Sequence, residues 1–160
     1  ASKVDEAAIR KIAALASRET GDARKAVELL AKAVKVAEES SGRLTETEVD
    51  VAEQSLEVDK TEELIRALAV QQRLALKACY LGFGKQPTRL STGNAFGWYQ
   101  EVCRAEETRP LTQRRFSDMV SFLDLYGLVN ATVISKGRYG KTRELSGSLP
   151  ERVVGNLLRG

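Results

Sequence analysis

The apolar positions of this chain follow two rhythms. Over most of its length they recur at three and four residues, which gathers one face of a helix; near residue 130 they switch to alternate positions, the spacing of a half-buried strand. The helical rhythm is sharpest over LTQRRFSDMVSFLDLYGL. There Phe116, Met119, Val120 and Leu123 share one face, while Gln113, Arg114, Ser117, Asp118 and Ser121 share the opposite one. Thr112 stands where an N-cap belongs, its hydroxyl able to accept an amide of the first turn. Gly127 stands where a helix ends on a left-handed residue. Val129, Ala131 and Val133 then alternate with Asn130, Thr132 and Ile134 and predict a strand. Lys136-Gly137-Arg138-Tyr139-Gly140-Lys141 predicts a basic turn, and the residues to Leu145 a second strand.

Upstream the pattern predicts helices throughout. A first helix spans about Asp5 to Thr20, with Ile9, Ile12, Ala13 and Ala16 on one stripe. Gly21 breaks it, and Asp22 is placed to cap a second helix running to about Glu39. In that helix Ala26, Val27, Leu30, Ala33, Val34 and Ala37 form an alanine-rich seam, and Ser40-Ser41-Gly42 ends it. Thr45 with Glu48 makes a capping box ahead of Val49, Ala52 and Leu56. Residues 1–58 thus read as three short helices, too few to bury much on their own and expected to pack on something else.

A long helix is expected from about Thr61 to Tyr80, with Leu64, Ile65, Leu68, Leu74 and Leu76 as core candidates. Gly82-Phe83-Gly84-Lys85-Gln86-Pro87 reads as a connecting loop. It lacks the preceding strand, the full spacing and the Ser/Thr of a phosphate-binding loop. Ser91 or Thr92 starts a helix to about Glu106 that buries Phe96, Tyr99, Val102 and Cys103, and Arg109-Pro110 turns the chain into the Gln113 helix. Pro150 opens a last helix with Val153, Val154, Leu157 and Leu158. The whole predicts a mainly α chain: a helical unit over 1–58, then a helix-turn-helix with a basic β-hairpin, the plan of a winged helix, over 59–160.

Composition narrows the class. Of 160 residues, 42% are hydrophobic, enough for a packed core, and 29% are charged. No apolar run approaches bilayer-spanning length and no secretory signal is visible, which predicts a cytoplasmic protein without membrane contact. Cys79 and Cys103 lack metal-type spacing and read as buried reduced thiols. The absence of histidine removes the commonest general base and metal ligand, so catalysis within these residues is not expected.

The net charge of +3 conceals an asymmetry. Residues 38–63 hold ten acids against Arg43 and Lys60, a net of −8, whereas residues 64–145 hold thirteen Lys/Arg against six Asp/Glu, a net of +7. Either these are two solvated faces, or a module that contacts a polyanion adjoins one that does not. The second reading gives specific roles. Arg114 and Arg115 open the Gln113 helix, where free amides already favour a phosphate. Gln113, Arg114 and Ser117 are placed for a major groove and Arg115 for backbone phosphate, while the alternative for Arg114 is a surface bridge to Asp118. Lys136, Arg138, Lys141 and Arg143 line the hairpin beside Tyr139, a tip suited to a minor groove or else simply solvated.

Two stretches together resemble one family. GDARKAVELLAKAVKVAEE resembles the sensor-two helix in the lid of AAA+ initiator ATPases. PLTQRRFSDMVSFLDLYGLVNATVISKGRYGKTRE resembles the C-terminal winged helix of the archaeal origin-recognition-complex-like replication initiators. The resemblance implies binding of double-stranded DNA at replication origins through Thr112, Gln113, Arg114, Arg115, Ser117, Lys136, Arg138, Tyr139, Lys141 and Arg143. It implies that Arg24, otherwise an exposed helix arginine, matches the arginine that reaches the γ-phosphate of ATP. It implies ATP and Mg²⁺ as cofactors of the longer family protein, and the replicative helicase and other initiator subunits as partners. No Walker A loop or Walker B acid pair occurs in these residues, which suggests a C-terminal fragment without cofactor or catalysis of its own. Two other functions fit the pattern: a winged-helix transcription regulator, and a protein-interaction module docking a helicase or another initiator.

Overall fold

A computed structural model describes residues 3–18, 22–86 and 89–160. The chain divides into two compact units, Ala1–Lys60 and Thr61–Gly160. The expected break at Gly21, the Asp22 side-chain cap and the end of the loop at Pro87 lie outside the described residues.

The first unit contains α1 (Glu6–Ala16), α2 (Asp22–Glu39) and the first part of α3 (Glu46–Ala67). Its core joins Ala8 and Ile12 of α1, Leu29, Ala33 and Ala37 of α2, and Leu44, Val49, Ala52 and Leu56. Two of the expected stripes are rotated. In α2 the buried row is Leu29, Ala33 and Ala37, strict four-residue steps, and Val27 (68% exposed), Leu30 and Val34 face outward. In α1 the buried row is Ala8, Ile12 and Ala16, and Ile9 and Ala13 of the expected stripe are exposed. Small residues let the helix axes approach, so the side a helix buries is set by the partner's shape as well as by hydrophobicity.

The capping box forms. The Thr45 N–H donates to Glu48 Oε2 at 2.8 Å, its hydroxyl also contacts that carboxylate, and the Thr47 N–H donates to Thr45 Oγ1 at 3.2 Å. These bonds hold the Glu48 carboxyl below its usual range, the Thr45 hydroxyl contributing most. The acidic run of α3 also ties helices together: Lys11 Nζ lies 2.6 Å from Asp50, Lys25 3.9 Å from Glu57 and Lys32 3.7 Å from Asp59.

The expected helix boundary near residues 59–60 does not exist. α3 continues unbroken to Ala67, and the break comes at Leu68 and Ala69, before α4 (Val70–Lys85). Leu68 is buried, and the Ala69 N–H donates to Gln72 Oε1 at 3.0 Å, so a glutamine one turn on caps a terminus with no polar N-cap side chain. The expected loop from Gly82 is helical as well. Gly82 is buried beneath Leu90 and Trp98; a Cβ there would lie 2.8 Å from Leu90 Cδ2. This glycine serves close packing, not a turn.

In the second unit α4 packs against α5 (Thr92–Ala105), α6 (Gln113–Leu125) and α7 (Glu151–Arg159). The buried face of α6 is Phe116, Met119, Val120 and Leu123, as the periodicity predicts, and Gly127 takes φ 71°. Val153 and Leu157 are buried on α7. Tyr80 of α4 organises the return of the chain: its hydroxyl donates to the Leu128 carbonyl at 2.7 Å and accepts the Ser148 and Leu149 N–H groups at 3.2 Å each. The sheet has three antiparallel strands in the order β1-β3-β2: β1 (Leu90–Ser91), β2 (Asn130–Ser135) and β3 (Lys141–Ser146). β1 is too short for sequence periodicity to reveal. Cys79 and Cys103 are free and fully buried, and burial pushes the Cys79 thiol up to about 12.

Candidate nucleic-acid interface

The start of α6 is built by its cap. Thr112 Oγ1 accepts the Arg115 N–H at 3.3 Å and the Thr112 carbonyl accepts the Phe116 N–H at 2.9 Å. Gln113 and Arg114, the first two helical residues, are exposed there. The turn before them is fixed from α5: the Leu111 N–H donates to the Tyr99 hydroxyl at 2.9 Å, and that hydroxyl also bonds Gln71.

The hairpin follows at once. β2 and β3 pair from Asn130↔Ser146 to Ser135↔Lys141, and a single 3-10 turn, Gly137–Tyr139, closes the tip. Gly137 (φ 61°) and Gly140 (φ 84°) occupy the left-handed region that bulkier residues avoid. Tyr139 is 91% exposed, an aromatic ring held out on a narrow tip. β2 is the free edge of the sheet, and one edge amide is satisfied from α6, the Ala131 N–H donating to Asp124 Oδ1 at 3.0 Å.

Between α6 and the hairpin lies an open groove of about 710 Å³. Gln113, Arg114 and Ser117 line it from the helix, and Lys136, Lys141 and Arg143 from the hairpin. Six of the predicted contact residues are therefore on one concavity. Thr112, Arg115, Arg138 and Tyr139 are exposed beside it, the first two at the helix start and the last two at the tip. Arg24 belongs to the other unit, exposed on a shallow concavity with Ala23, Val27 and Glu28.

The cations divide into two groups. Among the described residues, the side chains of Arg114, Arg115, Lys136, Arg138 and Lys141 make no hydrogen bond or ion pair, so the alternative Arg114–Asp118 bridge does not form. Arg143 is different. Its Nη1 donates to Ser121 Oγ at 2.6 Å, and its Nη2 donates to Ser117 Oγ at 2.6 Å and to the Ser117 carbonyl at 2.9 Å.

The start of α5 is the part of the groove that the sequence did not disclose. Ser91, Thr92 and Gly93 also line it. Ser91 caps α5 by accepting the Asn94 N–H at 3.1 Å, and pairing of Ser91 with Glu144 brings this cap beside the hairpin. The cap was readable; the neighbour was not, because it depends on a two-residue strand. Asp118 lines the groove too and tempers its positive potential. No group of three or more metal-ligating side chains, and no helix long and apolar enough to cross a membrane, occurs among the described residues.

Comparison with known proteins gives a consistent picture. The CDC6 C-terminal winged-helix domain matches residues 63–156, and the Cdc6 AAA+ ATPase-type lid domain matches residues 1–54. An ORC1-type DNA replication protein of Pyrococcus furiosus is 41% identical over 157 residues, covering 98% of this chain and 37% of that protein. An ORC1-type DNA replication protein of Thermococcus kodakarensis is 38% identical over 157 residues, covering 98% of this chain and 38% of the relative. This chain therefore spans under two fifths of the length of these relatives. Among solved structures, that of the Aeropyrum pernix ORC1 protein in complex with DNA superposes with a TM-score of 0.82 at 34% identity, over 99% of this chain and 41% of that one.

Proposed function

The chain belongs to the ORC1/Cdc6-type family of replication initiators, and from that premise we propose that its winged helix binds double-stranded DNA at replication origins. The observation that carries this reading is the convergence of Arg114, Lys136 and Lys141 on one open groove, with no partner for any of their charges among the described residues. Unpaired cations at that density suit a phosphate backbone, which rewards each by release of condensed counterions. The open groove is flanked by a helix start and a hairpin tip, the two elements that a winged helix presents to adjacent grooves of a duplex.

In this reading α6 lies in the major groove. Gln113, Arg114 and Ser117 address base edges, and Arg115 and the Thr112 end of the helix hold backbone phosphate. The wing reaches the minor groove, where Lys136, Arg138 and Lys141 meet concentrated negative potential and Tyr139 leads. Residues 59–160 form the DNA-binding part and residues 1–58 the lid of a nucleotide-binding core supplied by the longer protein. In that context Arg24 contacts the γ-phosphate of ATP bound with Mg²⁺, its planar fork matching phosphate oxygens. The matched segments are lid and winged helix, neither of which carries a Walker motif, so the chain contributes binding and not hydrolysis. The longer protein acts at the nucleoid, with the replicative helicase and other initiator subunits as partners.

The test is a fluorescence titration of this chain against two labelled duplexes at several salt concentrations. One duplex is selected by the protein from a random-sequence pool and the other is its scrambled counterpart. With four cations set against backbone phosphate, Arg115, Lys136, Arg138 and Lys141, log K is expected to fall against log salt with a slope of roughly −3.6. Salt-insensitive or absent binding to both duplexes would overturn the reading and favour a protein-docking role.

A further inference from the structure

Beyond Ala131↔Leu145 the hairpin has little core beneath it. Leu145 is buried, but Val133, two residues further along the same face, is 61% exposed. A two-stranded ribbon without an apolar face holds its shape poorly in water. Polar bonds from α6 supply the support instead. Asp124 takes the Ala131 N–H on β2, and Ser117 and Ser121 take the Arg143 guanidinium on β3.

Arg143 sits opposite Val133, two residues short of the last pair, Ser135↔Lys141. At about 3.4 Å per residue, the strand runs roughly 7 Å beyond this anchor before the turn begins. A small rotation at Arg143 is therefore magnified at Lys136, Arg138 and Tyr139. Three of the guanidinium's five N–H donors are engaged within the protein, and all three bonds end on α6. A planar fork held at three points fixes orientation as well as distance, which a lysine ammonium cannot do.

We propose that Arg143 is a positioning residue of the interface, a strut between β3 and α6 that sets the separation and aim of the wing relative to the helix and so governs discrimination between duplexes. The wing cations and Arg114 supply charge to the polyanion; Arg143 commits three of its donors to α6. The function assigned to the strut rests on the DNA reading above, whereas the strut itself is a contact within the free protein.

The experiment uses the full chain with Arg143→Lys, Ser121→Ala and Arg143→Gln, compared with the wild type. Hydrogen exchange of the 130–146 amides is followed without DNA, and affinities for the selected and scrambled duplexes are titrated at several salt concentrations. Arg143→Lys and Ser121→Ala are expected to speed hairpin exchange and to cut the selected-to-scrambled ratio roughly two- to tenfold, the scale of one net hydrogen bond. Both keep every cation, so the salt slope stays at its wild-type value. Unchanged exchange and an unchanged ratio in both variants would overturn the proposal. So would an Arg143→Gln variant whose exchange is unaltered but whose slope shrinks by roughly 0.9, the signature of a lost phosphate contact. Wild-type protein that bound neither duplex, with exchange still faster in the variants, would sink the DNA reading and leave the strut as a structural contact.

Discussion

The rings of Tyr99 and Phe116 lie stacked, their centroids 5.0 Å apart and their planes 25° from parallel. Tyr99 belongs to α5 and Phe116 to α6, so this pair sets how α6 leaves the turn. Phe96 joins from the same side at 5.6 Å, and the Tyr99 hydroxyl holds the Leu111 N–H. Phe116 is fully buried and is expected to cost roughly 3–5 kcal/mol on change to alanine. Tyr99→Phe keeps the stack and loses the two hydroxyl bonds, a smaller cost of about 1–3 kcal/mol. Urea denaturation followed by Trp98 fluorescence checks the ranking; equal losses would mean that the stack contributes little.

The wing cations are expected to act without regard to sequence. Arg138→Ala combined with Lys141→Ala weakens binding to any duplex and reduces the magnitude of the salt slope by roughly 1.8, two counterions fewer. Gel-shift titration at several salt concentrations measures both effects, and unchanged affinity would remove the wing from the interface.

Arg114 is expected to behave in the opposite way. Its removal costs roughly 1–3 kcal/mol on the selected duplex and much less on the scrambled one, as a base-edge contact should. Equal losses on both duplexes would reassign Arg114 to the backbone.

Gly147 lies against two aromatic rings. A Cβ there would come within 2.8 Å of Tyr80 Cε1 and 3.0 Å of Phe83 Cδ2. The Tyr80 ring cannot retreat freely, because its hydroxyl is bonded to Leu128, Ser148 and Leu149. Gly147→Ala is therefore expected to destabilise the second unit by roughly 1–3 kcal/mol, seen as a lowered denaturation midpoint.

Acid should weaken the first unit through Glu48. Its carboxyl is held low in the folded state by Thr45. The unfolded chain therefore binds a proton first on acidification, and the contribution to stability is present above the ordinary carboxylate pKa and fades as pH falls through the lower, folded value. The gap in melting temperature between wild type and Glu48→Gln should be widest near neutrality and close as pH drops through that range. A gap independent of pH would show that the capping bond does not depend on the charge.

The sequence by itself determined the local geometry of this protein. The apolar face of α6, the Thr112 and Ser91 caps, the Thr45–Glu48 box, the left-handed Gly127 and the presence of the hairpin strands are written within a few residues of where they act. The alternation failed at the wing, where Val133 is 61% exposed and Ile134 is half-buried. The groove cations were legible for the same reason, since one helix start and one turn supply nearly all of them. Tertiary structure decided what depends on neighbours distant in the chain. The stripe that α2 buries, the unbroken passage of α3 through residues 59–60, the helical fate of Gly82 and the short strand Leu90–Ser91 each depend on a partner surface that periodicity does not encode. Arg143 is the clearest case. Its position in a basic hairpin marks it as one more groove cation, and only the fold shows three of its donors bonded to Ser117 and Ser121 of α6. A side chain's bonding is settled by which acceptors the fold brings within 3 Å, and backbone spacing along the chain carries no record of that.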